Sequence, residues 1–161
     1  MNFEAELVSI EYVDKLFVFL SLLRSELKEQ IGDHAELIWY DSIHPHTGKV
    51  WWLSTLVPEN RIFLDICDGF FTDYHWDLER LNLTAQNAVD RRLDVYVGND
   101  IYGRGTYGGG IYNTFVAINE IKKLGLSYAL FGTARFYEND NGVTGPKLHA
   151  LNEEKFWFGS N

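Results

Sequence analysis

The sequence predicts an α/β fold in which about five parallel strands curve into part of a TIM-type (β/α)8 barrel. Short apolar or aromatic stretches recur roughly every 25 to 35 residues, and each tends to end in polar or aromatic groups. Segments with helical spacing of apolar residues lie between them, which is the pattern of successive βα units with right-handed crossovers. No linker interrupts residues 1–161, so we expect a single domain.

The first half of the chain supplies three of the predicted strands. A strand at residues 2–7 precedes a helix that Gly32 ends and whose apolar positions are Tyr12, Leu16, Phe19, Leu20, Leu23 and Leu27. The second strand, at 36–41, is short and strongly apolar, as buried parallel strands are. A loop at 44–58 and a short helix or turn at 62–67 lead to the third strand, at 69–72.

The second half repeats the pattern. A helix at 78–89 ends near Arg91 and Arg92, cations that suit a helix C-terminus and that we expect in solvent. The fourth strand, at 94–97, leads into a glycine-rich loop at 103–110 and a helix at 114–124 that Gly125 closes. The fifth strand, at 128–131, is followed by a polar segment containing Gly142, Gly145 and Pro146.

Five strands are too few to close such a barrel, which takes eight. We therefore expect either a different fold or an open arc that belongs to a longer unit. An open arc would have two unpaired edges and a half-exposed inner face. Self-association through these edges is one expected consequence.

Composition excludes several classes of partner. The net charge of −9 opposes binding to a nucleic-acid backbone. No apolar run approaches the length of a membrane span, and residues 1–6 lack the pattern of a signal peptide. Cys67 is the only cysteine, so an intrachain disulfide is impossible and a cytosolic setting is expected. The aromatic content of 16% suits a site that stacks on flat ligand faces, including those of sugars.

Two local motifs do not indicate a cofactor. His44 and His46 form a possible metal pair, but no third ligand stands at a supporting spacing, so no metal is expected. The glycines between Gly103 and Gly110 lack the spacing and the following Lys-Ser/Thr of a phosphate-binding P-loop. We expect a close-packed loop there, and no cofactor.

Asn2 and Glu4 form a candidate catalytic pair on the first predicted strand. Residues two apart on a strand share a face, and their Cα atoms would lie roughly 6.5 to 7 Å apart. Both could reach one sugar, the acid at the glycosidic oxygen and the amide at a neighbouring substituent. The spacing alone equally fits an exposed polar start.

Four longer segments, in this order, are more specific: Asn2-Phe3-Glu4, LIWYDS at 37–42, CDGFFTDYHW at 67–76 and DVYVGNDIYGRG at 94–105. Together they resemble the cytosolic endo-β-N-acetylglucosaminidases of glycoside hydrolase family 85, from residue 2 to about residue 138. The resemblance implies a TIM barrel whose catalytic Asn-x-Glu lies on the fourth strand. The first three barrel strands of the family would then be missing here.

The resemblance implies substrate-assisted, retaining cleavage between the two GlcNAc residues of the N-glycan core, in high-mannose glycans or glycopeptides. Glu4 would be the general acid/base, and Asn2 would orient the substrate's 2-acetamido group for attack on the anomeric carbon. It also implies six substrate-binding residues: Tyr40, Trp52, Tyr74, Trp76, Asp100 and Arg104. Tyr40 would contact the acetamido group, and the two tryptophans would stack on sugars. From the residues alone, Trp52 could instead be a buried loop anchor.

The chain also departs from the family pattern. Trp52-Leu53 replaces the usual Trp-Gln, Asp73-Tyr74-His75-Trp76 replaces an Asn-Tyr-Asn-Trp type segment, and Thr133-Ala134-Arg135 replaces Pro-Gly-Trp. Together with the missing strands, these changes leave two alternatives open. The chain is a catalytically inactive remnant that binds glycans weakly at most, or the true protein is longer.

Overall fold

A computed structural model of the chain describes residues 1, 4, 10–136 and 146–158. Its strands are β1 (Ile38–Tyr40), β2 (Gly69–Phe71), β3 (Val95–Asp100) and β4 (Ser127–Phe131). Its helices are α1 (Ile10–Gln30), α2 (Arg61–Ile66), α3 (Leu78–Ala88), α4 (Thr114–Lys123) and α5 (Pro146–Phe158). Short 3₁₀ turns lie at Arg92–Asp94, Tyr107–Gly109, Ile111–Asn113 and Thr133–Phe136.

The four described strands form one parallel sheet in the order β1-β2-β3-β4. Trp39 lies opposite Phe70, Phe70 opposite Val95, and Val97 opposite Tyr128, so strands that follow one another in sequence are neighbours in the sheet. A helix lies between each pair of successive strands, which confirms the predicted βα units.

Most of the first predicted strand, at 2–7, lies outside the described residues, but Met1 lies beside β1. Its amino group donates to the carbonyl of Ile38, and the N–H of Tyr40 donates to the carbonyl of Met1 at 3.0 Å. Bonds to residues j−1 and j+1 of a neighbour are the ladder of a parallel pair. Met1 therefore extends the sheet on the outer side of β1.

The core lies on one face of the sheet, under the helices. Trp39 is fully buried and stacks on Phe63 of α2, with ring centroids 4.4 Å apart and planes 2° from parallel. Phe70 and Val95 continue this layer across the sheet, and both are fully buried. Because their side chains alternate with those of the opposite face, one apolar residue in two is enough to build this core.

The opposite face of the sheet is only partly covered. Tyr40, Phe71 and Tyr96 are half-buried, and Phe131 keeps 52% of its surface exposed. In a closed barrel this face would be the interior. The partial exposure is the one expected for an open arc of strands.

Helix α1 forms where helical spacing predicts it, and most of its predicted apolar stripe packs against the core. Val13, Leu16 and Leu20 face the core, whereas Tyr12 and Phe19 are 44% and 47% exposed. The packing against the sheet turns the buried stripe slightly, away from the two aromatic residues and toward Val13.

The expectation that Arg91 lies in solvent is wrong. Its guanidinium donates to the carbonyls of Leu64, Cys67 and Asp68 and pairs with Asp94 at 2.7 Å. Leu64 lies in the last turn of α2 and the other two residues follow the helix, where helix geometry leaves carbonyls without intrahelical donors. Arg91 therefore joins the C-terminus of α2 to the residue that precedes β3.

The sequence patterns did not predict helix α5. The helix begins at Pro146, a residue favoured in the first turn because no intrahelical N–H bond is needed there. Its apolar residues are spread around the helix, so no single apolar face signals it, and Leu151 and Trp157 are 62% and 54% exposed. Among the described helices, none is long and apolar enough to cross a membrane.

Asp68 joins α1 to the sheet. Its Oδ1 accepts from Nε and Nη2 of Arg24 at 2.9 and 2.8 Å and lies 3.3 Å from Nζ of Lys28, while its Oδ2 accepts from the N–H of Leu37 at 2.9 Å. Burial alone would raise the pKa of this carboxyl. The hydrogen bonds outweigh burial and lower the pKa to about 2.

Replacing Asp68 by asparagine is expected to reduce the free energy of unfolding by about 2 kcal/mol at pH 7. The carboxyl has a lower pKa in the folded chain than in the unfolded chain, so its contribution is full above about pH 4 and is lost as the pH falls toward 2. Urea denaturation at pH 7 and at lower pH measures this. Asp65, paired with Arg61 on α2 and 55% exposed, gives the control Asp65→Asn, expected to change stability by less than about 0.5 kcal/mol. A difference between chain and variant that stays constant down to pH 2 would contradict the prediction.

Candidate active site

The candidate site lies at the carboxyl ends of the parallel strands. Tyr40 is the last residue of β1, Asp73 and Tyr74 follow β2, and Asp100 is the last residue of β3. In parallel sheets these ends meet at one edge, where loops can collect polar groups. Three predicted site residues, Tyr40, Tyr74 and Asp100, are thus brought to one edge of the sheet.

Asp100 and Arg104 form a buried-to-surface ion pair at the end of β3. Asp100 is fully buried and accepts from Nε and Nη2 of Arg104 at 2.8 and 3.2 Å. It also accepts from the backbone N–H groups of Tyr102 and Arg104 at 3.2 and 3.1 Å. Burial alone would raise the pKa of Asp100. The hydrogen bonds lower the pKa by more than burial raises it, so the net shift is downward. The carboxylate therefore holds a guanidinium whose side chain is 58% exposed.

The loop that carries Arg104 is close-packed, as predicted. Gly110 has φ +68°, and a Cβ there would lie 2.7 Å from the carbonyl oxygen of Asp100. Gly103 has φ +82°, and a Cβ there would lie 2.4 Å from the carbonyl oxygen of Gly109. Only glycine fits these two positions without moving the backbone. These glycines thus allow the close backbone packing of the loop that carries Arg104.

Tyr40 is held by an aromatic neighbour and a carboxylate. Its ring packs edge-on against Phe71 at 5.2 Å, and its hydroxyl donates to Oδ1 of Asp73 at 3.3 Å. Burial, followed by the negative charges of Asp73 and Glu4, raises the pKa of Tyr40. The phenol therefore keeps its proton at neutral pH.

Glu4 lies near this cluster. Its charge contributes to the upward pKa shifts of both Tyr40 and Tyr74, which places the carboxylate within electrostatic reach of the two phenols. For Tyr74, burial is the largest cause and Asp73 the next, while Arg104 acts in the opposite direction. Asn2, the other half of the candidate catalytic pair, lies outside the described residues.

The two predicted tryptophans lie in different environments. Trp52 is 45% exposed in the loop after β1 and is free to meet a ligand face. Trp76 is only 4% exposed, donates from its indole N–H to the carbonyl of Gly98 at 2.8 Å and stacks on Tyr107 at 5.0 Å. The structure thus differs from the expectation for Trp76. Its ring is buried in the core with one face against Tyr107, so it is closed to a sugar in this structure.

The histidines in the same loop face each other and a tryptophan. The rings of His44 and His46 lie 5.7 Å apart, and His44 lies 5.6 Å from Trp51. In the part of the chain that the structure describes, no group of three or more His, Cys, Asp or Glu residues could hold a metal ion.

A buried carboxylate network below Tyr40 was missed by sequence reasoning. Asp73, 3% exposed, accepts from Oγ of Ser54 at 3.1 Å, and Asp41, 2% exposed, accepts from the N–H of Ser54 at 2.9 Å. Ser54 bridges them in the left-handed region, with φ +56°. Burial is the main cause that raises the pKa of Asp41 to about 7, against the hydrogen bonds from Ser54 and Asn60, and the nearby Asp73 adds to the rise. The available signal was that Asp41 ends one predicted strand and Asp73 follows the next.

Comparison with known proteins identifies the family. The model of glycosyl hydrolase family 85 matches residues 1–161. The cytosolic endo-β-N-acetylglucosaminidase of Homo sapiens is 38% identical over 157 residues, which cover 98% of this chain and 20% of the relative. Cytosolic endo-β-N-acetylglucosaminidase 1 of Arabidopsis thaliana is 36% identical over 163 residues, which cover 98% and 23%.

A solved structure shows the same architecture. The glycoside hydrolase domain of Endo-D from Streptococcus pneumoniae R6 superposes with a TM-score of 0.69 at 25% identity, over 91% of this chain and 24% of that chain. The four parallel strands are thus part of a TIM-type barrel fold. The chain spans about a fifth of the length of the curated relatives named above. With a family model that matches throughout and relatives this similar, the chain belongs to glycosyl hydrolase family 85.

Proposed function

We propose that this chain forms the catalytic edge of an endo-β-N-acetylglucosaminidase barrel that cleaves between the two GlcNAc residues of an N-glycan core. The observation that carries the proposal is the collection of Tyr40, Tyr74 and Asp100 at the carboxyl ends of the strands, in a chain of this family. The names of the relatives support the substrate class and a cytosolic setting.

The proposed chemistry is substrate-assisted and needs one acid from the protein. The carbonyl oxygen of the substrate's 2-acetamido group attacks the anomeric carbon as the glycosidic bond breaks, and Glu4 gives its proton to the leaving oxygen. Glu4 then removes a proton from the water that opens the oxazolinium intermediate. Asn2 orients the acetamido group in this scheme.

The remaining side chains are suited to an uncharged sugar. Tyr40 and Tyr74 offer hydroxyl groups at the carboxyl ends of β1 and β2, and Arg104, anchored on Asp100, offers donors at the edge of the site. Trp52 presents an exposed ring in the neighbouring loop, which suits stacking on a further sugar. High-mannose glycans are the proposed substrates, and no cofactor takes part in this scheme.

A second candidate is glycan binding without turnover. The half-exposed face that carries Tyr40, Phe71 and Phe131 favours it, because contact with bulk water weakens the electrostatic interactions on which catalysis depends. Among the described strands, β4 pairs with β3 alone. We propose that self-association through this edge is the way in which the isolated chain could cover the face.

The test is endoglycosidase assay of the 161-residue chain on a fluorescent high-mannose glycopeptide, with the oligomeric state measured in parallel. Release that leaves one GlcNAc on the peptide supports the enzyme. A saturable change in tryptophan fluorescence without release supports glycan binding alone. Absence of both would overturn both candidates for this chain.

A further inference from the structure

Asp41 anchors the loop that carries Trp52. Its Oδ2 accepts from the N–H of Ser54 at 2.9 Å, and the N–H of Leu53 also hydrogen-bonds to this carboxyl. Successive backbone N–H groups in a turn form a site that suits a carboxylate. Asp41 is 2% exposed and directly follows β1, so these bonds tie the loop to the sheet.

Trp52 lies between two peptide groups that are held by hydrogen bonds. The N–H of Leu53 belongs to the same planar peptide unit as the carbonyl of Trp52, so its bond to Asp41 sets the orientation of that plane. On the other side, the N–H of Trp51 donates to the carbonyl of Ser42 at 2.8 Å. The backbone on both sides of Trp52 is therefore held, while its ring stays 45% exposed.

The backbone at Ser54 shows that its surroundings impose this arrangement. Ser54 has φ +56°, in the left-handed region that residues with a Cβ rarely adopt. Its N–H is held by Asp41, and its Oγ donates to Asp73 at 3.1 Å. The buried Asn60 donates from Nδ2 to Oδ1 of Asp41 at 3.4 Å and to the carbonyl of Thr55 at 2.9 Å. Strained residues held in this way cluster at ligand-binding and active sites.

We propose that Asp41 is a positioning residue that holds the loop so that the exposed ring of Trp52 meets a sugar, and that it acts on glycan affinity only through Trp52. This inference rests on the proposed function, which gives Trp52 its ligand. It adds to the candidate site a residue that is too deeply buried to touch the glycan itself.

The proposed role of Asp41 requires a hydrogen-bond acceptor and not a charge. Burial raises the pKa of Asp41 to about 7, against the hydrogen bonds from Ser54 and Asn60, so both protonation states are present near neutral pH. Each state keeps at least one oxygen that accepts from an N–H group. Asp41→Asn also keeps one such oxygen, whereas Asp41→Ala keeps none. The two variants therefore separate the loss of the acceptor from the loss of the charge.

The first experiment follows Trp52 without any ligand. The chain is labelled with 5-fluorotryptophan, and the ¹⁹F NMR signal of Trp52 is identified by its loss in Trp52→Phe. Asp41→Ala is expected to shift or broaden this signal, because the peptide group after Trp52 loses its anchor, whereas Asp41→Asn is expected to leave it in place. Asp68→Asn is the matched control, because it removes a hydrogen-bonded acid that precedes β2 and does not contact the loop with Trp52.

The second experiment is a double-mutant cycle on glycan affinity. The ligand is a released high-mannose glycan that ends in a single GlcNAc, which offers no bond for the proposed reaction, and binding is measured by calorimetry. Asp41→Ala and Trp52→Ala are each expected to weaken binding about two- to tenfold, the loss of one stacked ring. The double variant is expected to bind no more weakly than Trp52→Ala, because Asp41 has no other route to the ligand. Asp41→Asn is expected to bind more tightly than Asp41→Ala.

The outcomes separate this inference from the proposed function. A Trp52 signal that does not move in Asp41→Ala, or that moves equally in Asp68→Asn, overturns the positioning role. Additive losses in the cycle overturn the action through Trp52. If the unchanged chain binds no glycan, the proposed function fails and so does the effect on affinity, while the ¹⁹F result still decides whether Asp41 holds Trp52.

A further variant covers the case in which Asp41→Ala does not fold. Asp41→Glu keeps the carboxyl and moves it by one CH₂ group, so it is expected to move the Trp52 signal and to weaken glycan binding. An unmoved signal together with unchanged affinity in Asp41→Glu would overturn the proposal.

Discussion

Replacing Glu4 by glutamine is expected to lower the hydrolytic rate by about 10² to 10⁴ in a full-length barrel that carries this segment. Glutamine keeps the size of the side chain and removes the proton that must reach the glycosidic oxygen. Binding is expected to change little, because the amide still forms hydrogen bonds. The measurement is kcat and KM on a fluorescent high-mannose glycopeptide.

The control for this prediction is Glu26→Gln, a change of the same chemistry on the exposed side of α1. It should leave kcat unchanged. Retention of normal turnover by Glu4→Gln would remove Glu4 from the proposed mechanism and leave the family membership intact. A rise in KM at constant kcat would assign Glu4 to binding instead of proton transfer.

Replacing Trp39 by alanine is expected to reduce the free energy of unfolding by about 3 to 5 kcal/mol. Trp39 is fully buried in the middle of β1, and the change removes its stack on Phe63 and leaves a cavity between the sheet and α2. This is a large share of the roughly 5 to 15 kcal/mol that stabilises a typical domain. Urea denaturation followed by far-UV circular dichroism measures it.

Two further variants show whether the burial of Trp39 is the cause of the expected loss of stability. Trp51→Ala, at a position 59% exposed, is expected to change stability by less than about 0.5 kcal/mol. Trp39→Phe keeps a ring against Phe63 and removes an indole N–H that has no hydrogen-bond partner among the described residues, so it should cost clearly less than alanine. Equal losses for Trp39→Ala and Trp51→Ala would contradict the role of this core.

Much of the fold follows from local patterns. The strand at 36–41, the helix at 114–124 and the parallel alternation were readable because apolar runs and helical spacing record which residues face a core. Helix α5 was not predictable, because its residues show no apolar face, and neither was the exposure of Tyr12 and Phe19, which lie at the margin of the predicted α1 stripe. Periodicity shows that a helix has an apolar face, but it does not show which element that face packs against.

The candidate site, like the fold, was predictable from the sequence only in part. The resemblance named Tyr40, Tyr74, Asp100 and Arg104 as site residues, and they lie at one edge because parallel strands bring their carboxyl ends together. The Asp73 network was not found, because Ser54 reaches it through a loop and an uncommon backbone conformation. Whether an aromatic residue such as Trp76 is buried depends on the other elements of the fold that pack against it.

The sequence by itself determined the family, the parallel βα order and the edge at which polar residues collect. All three follow from short segments and from the order of those segments along the chain. Only the tertiary structure decided that Trp76 is core, that Arg91 closes α2 and that Asp73 holds Tyr40. These facts depend on contacts between residues 22 to 33 positions apart or between loops, where each bond is set by the packing of whole elements and not by the neighbours in sequence.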